Sequence, residues 1–122
     1  MKEYKVFICA GEHSGDLLGS ELIKAISKEI GDNGSVVFQG IGGNLMEREG
    51  LVTIFDLSRL SVMGLRDIFV NIISILSILK KTVAYVLAWK PDVVITIDSP
   101  EFNLRLSSQI KKKWKTAKIV HY

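Results

Sequence analysis

The sequence predicts an α/β fold: a Rossmann-like parallel sheet with helices on both faces. Three observations point there. Short apolar runs alternate along the chain with segments of helical spacing. The runs are apolar almost throughout, as strands covered on both faces are. Polar or glycine-rich turns follow three of them, where open parallel sheets place their ligand loops. The 122 residues, 48 % apolar and 24 % charged, amount to one domain. A chain of that size buries roughly two-thirds of its unfolded surface.

Residues 4–10 read as a buried strand bounded by Gly11. Residues 16–30 carry Leu18, Leu22, Ile26 and Ile30 at helical spacing, with Asp16 in the first turn to suit the helix dipole and Gly31 as the stop. Residues 35–39 form the second strand, Gly40-Ile41-Gly42-Gly43 a turn, residues 44–49 a short helix and residues 51–55 the third strand. A loop over 56–64 leads into a long helix over 65–89, which Pro91 stops. Residues 92–97 form the fourth strand, Asp98-Ser99-Pro100 a turn, residues 101–114 a helix and residues 117–122 a fifth strand. A chain that stops on an apolar-aromatic strand is expected to continue past Tyr122.

Composition excludes several classes. Sixteen Lys and Arg against thirteen Asp and Glu leave a net charge of +3, too small to imply nucleic acid. The single cysteine, Cys9, allows no internal disulfide and no Cys-based zinc site. His13 and His121 lie too far apart in sequence for a local metal motif. The apolar stretch of residues 6–10 is too short for a signal peptide, so a reduced, cytoplasmic setting is expected. Residues 68–89 are the most membrane-like, but Lys80-Lys81 splits them below the ~20 apolar residues of a spanning helix.

Three turns could carry chemistry. In Gly11-Glu12-His13-Ser14-Gly15-Asp16, two glycines let backbone approach a ligand, and the following helix aims free N–H groups at the same spot. The spacing is neither GxGxxG nor a P-loop, and the alternative is a tight strand-to-helix turn capped by Ser14 or Asp16. In Gly40-Ile41-Gly42-Gly43, three glycines fit either a ligand turn or close helix–strand packing. In the third, Asp98 leaves a buried strand partly shielded from water, which suits a general base. The alternative is a helix N-cap by Asp98 or Ser99, with Pro100 in the first turn.

Two surfaces stand out. Lys111, Lys112, Lys113, Lys115 and Lys118 around Trp114 read as a solvated helix face or a contact for anionic lipid or phosphate. On the long helix, Ile68, Ile72, Ile75, Leu76, Leu79, Val83 and Val86 are predicted to face the sheet. Val70, Ile73, Ile78, Tyr85 and Trp89 then point elsewhere, toward a membrane surface, acyl chains, a subunit or a covering loop.

These motifs in this order resemble the bacterial lipid-A-disaccharide synthase family. The matching segments are Gly11 to Asp16, Gly40 to Gly43 with Met46 and Gly50, Ser61-Val62-Met63-Gly64, Lys90-Pro91-Asp92, Ile97 to Asn103, and Val120-His121-Tyr122. The resemblance spans essentially the whole chain. His13 occupies a variable place, and Asp67 stands where the family pattern leads one to expect glutamate. It implies a GT-B glycosyltransferase that transfers 2,3-diacylglucosamine from UDP-2,3-diacylglucosamine to 2,3-diacylglucosamine 1-phosphate with inversion, and needs no cofactor or metal. Residues 1–122 would be the N-terminal, acceptor-side half of that fold, inactive alone. It makes Asp98 the base. It places Gly11, Glu12, Ser14, Gly15, Asp16, Gly42, Gly43, Met63, Gly64, Ser99, Pro100 and Asn103 at the substrates. It puts Val70, Ile73, Ile78, Tyr85 and Trp89 against acyl chains on the inner face of the inner membrane, with a second copy of the chain as a candidate partner. Two rival readings are another GT-B enzyme of membrane-linked sugars and a free-standing flavodoxin-like binding module. The latter would finish on a covering helix and carry a coloured flavin.

Overall fold

The computed structural model describes residues 2–56 and 68–122, leaving aside the side chains of Asp56 and of residues 68–72. Among the described residues five strands form one sheet: β1 (Lys2–Ala10), β2 (Gly34–Gly42), β3 (Leu51–Asp56), β4 (Val93–Ile97) and β5 (Ile119–His121). The order is β3-β2-β1-β4-β5, with every pairing parallel. Among the described residues four α-helices flank it: α1 (His13–Ile30), α2 (Asn44–Arg48), α3 (Ile68–Trp89) and α4 (Pro100–Lys113). The predicted fold class is the observed one.

Period two along the strands explains the apolar runs. In β1, Val6, Ile8 and Ala10 join a core with Ile23 of α1 and Met46 of α2. Phe7 and Cys9 point the other way, into a core with Val83 and Val86 of α3 and Leu106 and Ile110 of α4. Each face is covered, so each face needs apolar residues. At the amino end of the sheet, Asp92 Oδ2 accepts from Lys5 N at 2.8 Å and the Asp92 N–H donates to Lys5 O at 2.8 Å, which fixes where β4 enters.

Two boundaries near the glycine-rich segments differ from the sequence reading. α1 begins at His13, three residues early, and Gly15 and Gly19 within it let it pack closely on β1 and α2. A Cβ on Gly15 would lie 3.1 Å from Ala10 Cβ, and one on Gly19 would lie 2.5 Å from Met46 Sδ. β2 runs on through Gly42, so three of the four residues of the expected glycine turn are strand. Gly40 has φ +152, and a Cβ there would sit 1.9 Å from Ile8 O. Glycine is used at that point for close approach to β1 within the ladder.

The face assignment on α3 is corrected. Its buried line is Ile78, Leu79, Thr82, Val83 and Val86. Ile78, read from the sequence as pointing off the core, is 1 % exposed, and Leu76, read as core, is 47 % exposed. Thr82, one turn after Ile78, shares its line. Its hydroxyl donates to the Ile78 carbonyl at 2.7 Å, so a polar residue sits fully buried in the middle of the stripe. Tyr85 and Trp89 are half-buried and pack against the core. The Tyr85 hydroxyl also donates to Gln39 Oε1, and its ring lies 6.1 Å from that of Phe7.

Cys9 is fully buried, and desolvation pushes its thiol up to about 12. The thiolate is the reactive form, so Cys9 is expected to resist a thiol reagent at pH 8 in the native state and to react fully in denaturant. Rapid native labelling would overturn this account of β1.

Candidate functional site at the carboxyl edge of the sheet

The chain leaves β1 toward β2 on one side and leaves β4 toward β5 on the other. The carboxyl ends of β1 and β4 are therefore the topological switch point, where the following loops part and open a crevice. Two short turns meet there, Gly11-Glu12 after β1 and Asp98-Ser99 after β4.

They meet closely. A Cβ on Gly11 would lie 2.1 Å from Ser99 Oγ, so the space beside Gly11 belongs to the Ser99 side chain. Asp98 and Ser99 both adopt left-handed backbone, with φ of 49 and 43. Such a conformation costs about 1–3 kcal/mol per non-glycine residue and persists only when its surroundings hold it. Asn103 supplies part of the hold. Its Nδ2 donates to Ile97 O at 3.2 Å and Asp98 O at 2.6 Å, and its N–H donates to Ser99 O at 3.0 Å. The Asp98 N–H donates to Tyr122 O at 3.3 Å.

The Asp98 side chain is half-buried, and no described residue hydrogen-bonds its carboxylate. Ser99 stands at the N-cap of α4 without a side-chain capping bond, and Pro100 takes the first helical position. The N-cap reading of this turn is thus not what its side chains do. Among the described residues the carboxylate has no hydrogen-bond partner, and it stands at the crevice where parallel sheets receive ligands.

Sequence reasoning passed over a neighbour. Thr96 is buried on β4, and its hydroxyl lies 2.7 Å from Nδ1 of exposed His121 on β5. The signal was a lone threonine in the run Val93-Val94-Ile95-Thr96-Ile97.

A second cluster forms on the α1–α2 side. Asp16 is 6 % exposed, and its carboxylate accepts three backbone N–H groups. Oδ1 takes those of Gly43 at 2.9 Å and Met46 at 3.0 Å, and Oδ2 takes that of Leu45 at 3.1 Å. These are the N-cap and first-turn donors of α2, which no side chain of α2 itself caps. Gly43 must lack a Cβ, which would lie 2.5 Å from Asp16 Oδ2. A Cβ on Gly42 would lie 2.6 Å from Met46 Sδ. The glycines of this turn therefore make close packing, and Asp16 caps a helix rather than presenting free oxygens to a ligand.

The remaining predicted residues are scattered. Glu12, His13 and Ser14 are exposed at the start of α1, and Pro100 is exposed at the start of α4. Met63 and Gly64, and the side chain of Val70, lie outside the described residues. Of the expected acyl-contact group, Ile73 is 69 % exposed, Ile78 is core, and Tyr85 and Trp89 are half-buried. A groove of about 350 Å³ between α3 and α4 is lined by Leu76, Leu79 and Leu104 with Arg105 and Lys112 among its polar neighbours. Lys111, Lys112, Lys113, Lys115 and Lys118 are all exposed, and Lys90 Nζ lies 4.4 Å from the Trp114 ring centre. Among the described residues no helix is long and apolar enough to cross a membrane.

Comparison with known proteins places this arrangement. A family described as lipid-A-disaccharide synthetase matches residues 6–122. The lipid-A-disaccharide synthase of Rhodopseudomonas palustris is 39 % identical over 118 residues, covering 97 % of this chain and 30 % of that protein. That of Pseudomonas fluorescens (strain Pf-5) is 40 % identical over 122 residues, covering 100 % of this chain and 31 % of that protein. The chain thus spans about 30 % of the length of these curated relatives. Among solved structures, a glycosyltransferase from Rickettsia africae superposes with a TM-score of 0.52 at 18 % identity, covering 99 % of this chain and 30 % of that one. The C-terminal domain of a Pyrococcus furiosus hydrogenase superposes with a TM-score of 0.65 at 15 % identity, covering 98 % and 91 %. At such identities the two structures share the fold alone.

Proposed function

The chain belongs to the lipid-A-disaccharide synthetase family, and on that premise we propose that it forms the acceptor-side domain of an inverting, UDP-sugar-dependent glycosyltransferase. The reaction joins 2,3-diacylglucosamine from its UDP derivative to 2,3-diacylglucosamine 1-phosphate. One observation carries the reading. Asp98 sits half-buried at the switch-point crevice, held in left-handed backbone, with no described hydrogen-bond partner for its carboxylate.

That is what a single displacement needs. The Asp98 carboxylate takes the proton of the acceptor 6-hydroxyl as that oxygen attacks the anomeric carbon. The bond to the UDP oxygen breaks with its electron pair, and UDP leaves from the opposite face. One positioned base contributes about 10²–10⁴-fold to such a step. The donor-binding groups belong to the portion of the enzyme that this chain does not cover. At the membrane surface, exposed Ile73 and the exposed lysines of α4 would meet acyl chains and lipid phosphates.

The test is transfer by a full-length chain, these 122 residues followed by the rest of the enzyme. Formation of the disaccharide phosphate and UDP from this substrate pair supports the reading. Failure with this pair, alongside success with another membrane-linked sugar acceptor, replaces it. The 122-residue segment alone is expected to give no turnover, because a GT-B site lies between two domains. Measurable product from the segment would remove the two-domain account.

A further inference from the structure

The family pattern puts Asn103 at the substrate, but its geometry gives it other work. Its side chain is 0 % exposed, so a ligand in the crevice does not reach the amide. Three successive carbonyls, of Ile97, Asp98 and Ser99, accept hydrogen bonds from this one residue. The first two come from the side chain and the third from its backbone. They span the last residue of β4 and both left-handed residues of the turn. Asn103 Oδ1, by contrast, has no partner among the described residues. The structural contacts of this buried amide are thus made by its nitrogen, and an unpaired buried oxygen beside them calls for an explanation.

We infer that Asn103 is the positioning residue for Asp98: its amide locks the left-handed Asp98-Ser99 turn and so fixes where the base stands. The inference rests on reading Asp98 as the base. Ser99 is the other half of the device. A left-handed residue without a Cβ needs no lock, so Ser99→Gly should partly relieve the dependence on Asn103.

The experiment uses the full-length chain, with Asn103→Ala, Ser99→Gly and the double variant. Steady-state constants are measured for both sugars. Backbone ¹³C shifts of residue 98 are also read in ¹³C-aspartate-labelled protein, with the Asp98 signal assigned by its loss in Asp98→Asn. Asn103→Ala is expected to lower kcat by about 100-fold, the scale of a misplaced catalytic group. KM for each substrate should stay within about 3-fold, and the left-handed shift signature of residue 98 should be lost. Adding Ser99→Gly to Asn103→Ala should restore about 10-fold of kcat relative to Asn103→Ala alone. A raised KM at unchanged kcat would make Asn103 a substrate contact and overturn the inference. So would a left-handed signature that survives the substitution. If the wild type makes no disaccharide, the functional reading fails, and the shifts alone still decide whether Asn103 sets the turn. Where Asn103→Ala does not fold, Asn103→Leu, which fills a similar volume and has no donor, is measured in its place.

Discussion

Asp98→Asn in the full-length chain is expected to lower the transfer rate by about 100-fold or more, with little change in thermal stability. The substitution isolates proton transfer. Asparagine is isosteric with aspartate, and it cannot take the proton of the acceptor hydroxyl. It tolerates left-handed backbone well among non-glycine residues, so φ of 49 at this position is no obstacle. The Asp98 carboxylate has no hydrogen bond to a described residue, so its replacement breaks no hydrogen bond among them. A large rate loss could then be assigned neither to a collapsed turn nor to a lost ion pair. Steady-state rates and a thermal melt, measured side by side, decide it. A variant within about 10-fold of the wild type would make Asp98 a turn residue and send the search for the base elsewhere in the cleft.

The fold was largely legible because strand burial writes itself into the sequence. β1 reads as one apolar run since Val6 and Ile8 serve one core while Phe7 and Cys9 serve the other. What stayed illegible depends on contacts and backbone geometry that residue spacing does not carry. Thr82 looks polar, yet it is buried with its hydroxyl bonded one turn back, and the buried line of α3 takes in Ile78 and leaves out Leu76. Gly40 looks like a turn, yet it serves a close approach to Ile8 inside the sheet. The candidate site divides the same way. Asp98 stood out as a carboxylate at the exit of an apolar strand. That Asn103 holds the carbonyls of three preceding residues follows only from left-handed backbone, which spacing does not reveal. Asp16 suited the first turn of its own helix by sequence, yet it caps α2 across roughly thirty residues of chain.

That last assignment carries the largest expected effect on stability. Asp16→Ala should cost the domain about 3–5 kcal/mol, since it strips the acceptor from three N–H groups in buried or partly buried surroundings. Domains hold only about 5–15 kcal/mol in total, so the loss would show as a fall in Tm of roughly 10–20 °C. Asp16→Asn should cost less, because its oxygen can still serve Gly43 and Met46 while its amide nitrogen turns a donor toward the Leu45 N–H. Gly43→Ala should damage the same contact from the other side, with its new Cβ about 2.5 Å from Asp16 Oδ2. Because the two substitutions break one interaction, their effects combined should fall well short of their sum. Hydrogen exchange localises the change: the amides of Gly43, Leu45 and Met46 should lose protection in Asp16→Ala while those in the middle of β1 exchange at a rate set by the global loss. If these three amides keep their wild-type protection relative to β1, the carboxylate does not cap α2. Asp16 would then return to the ligand role that the family pattern gives it.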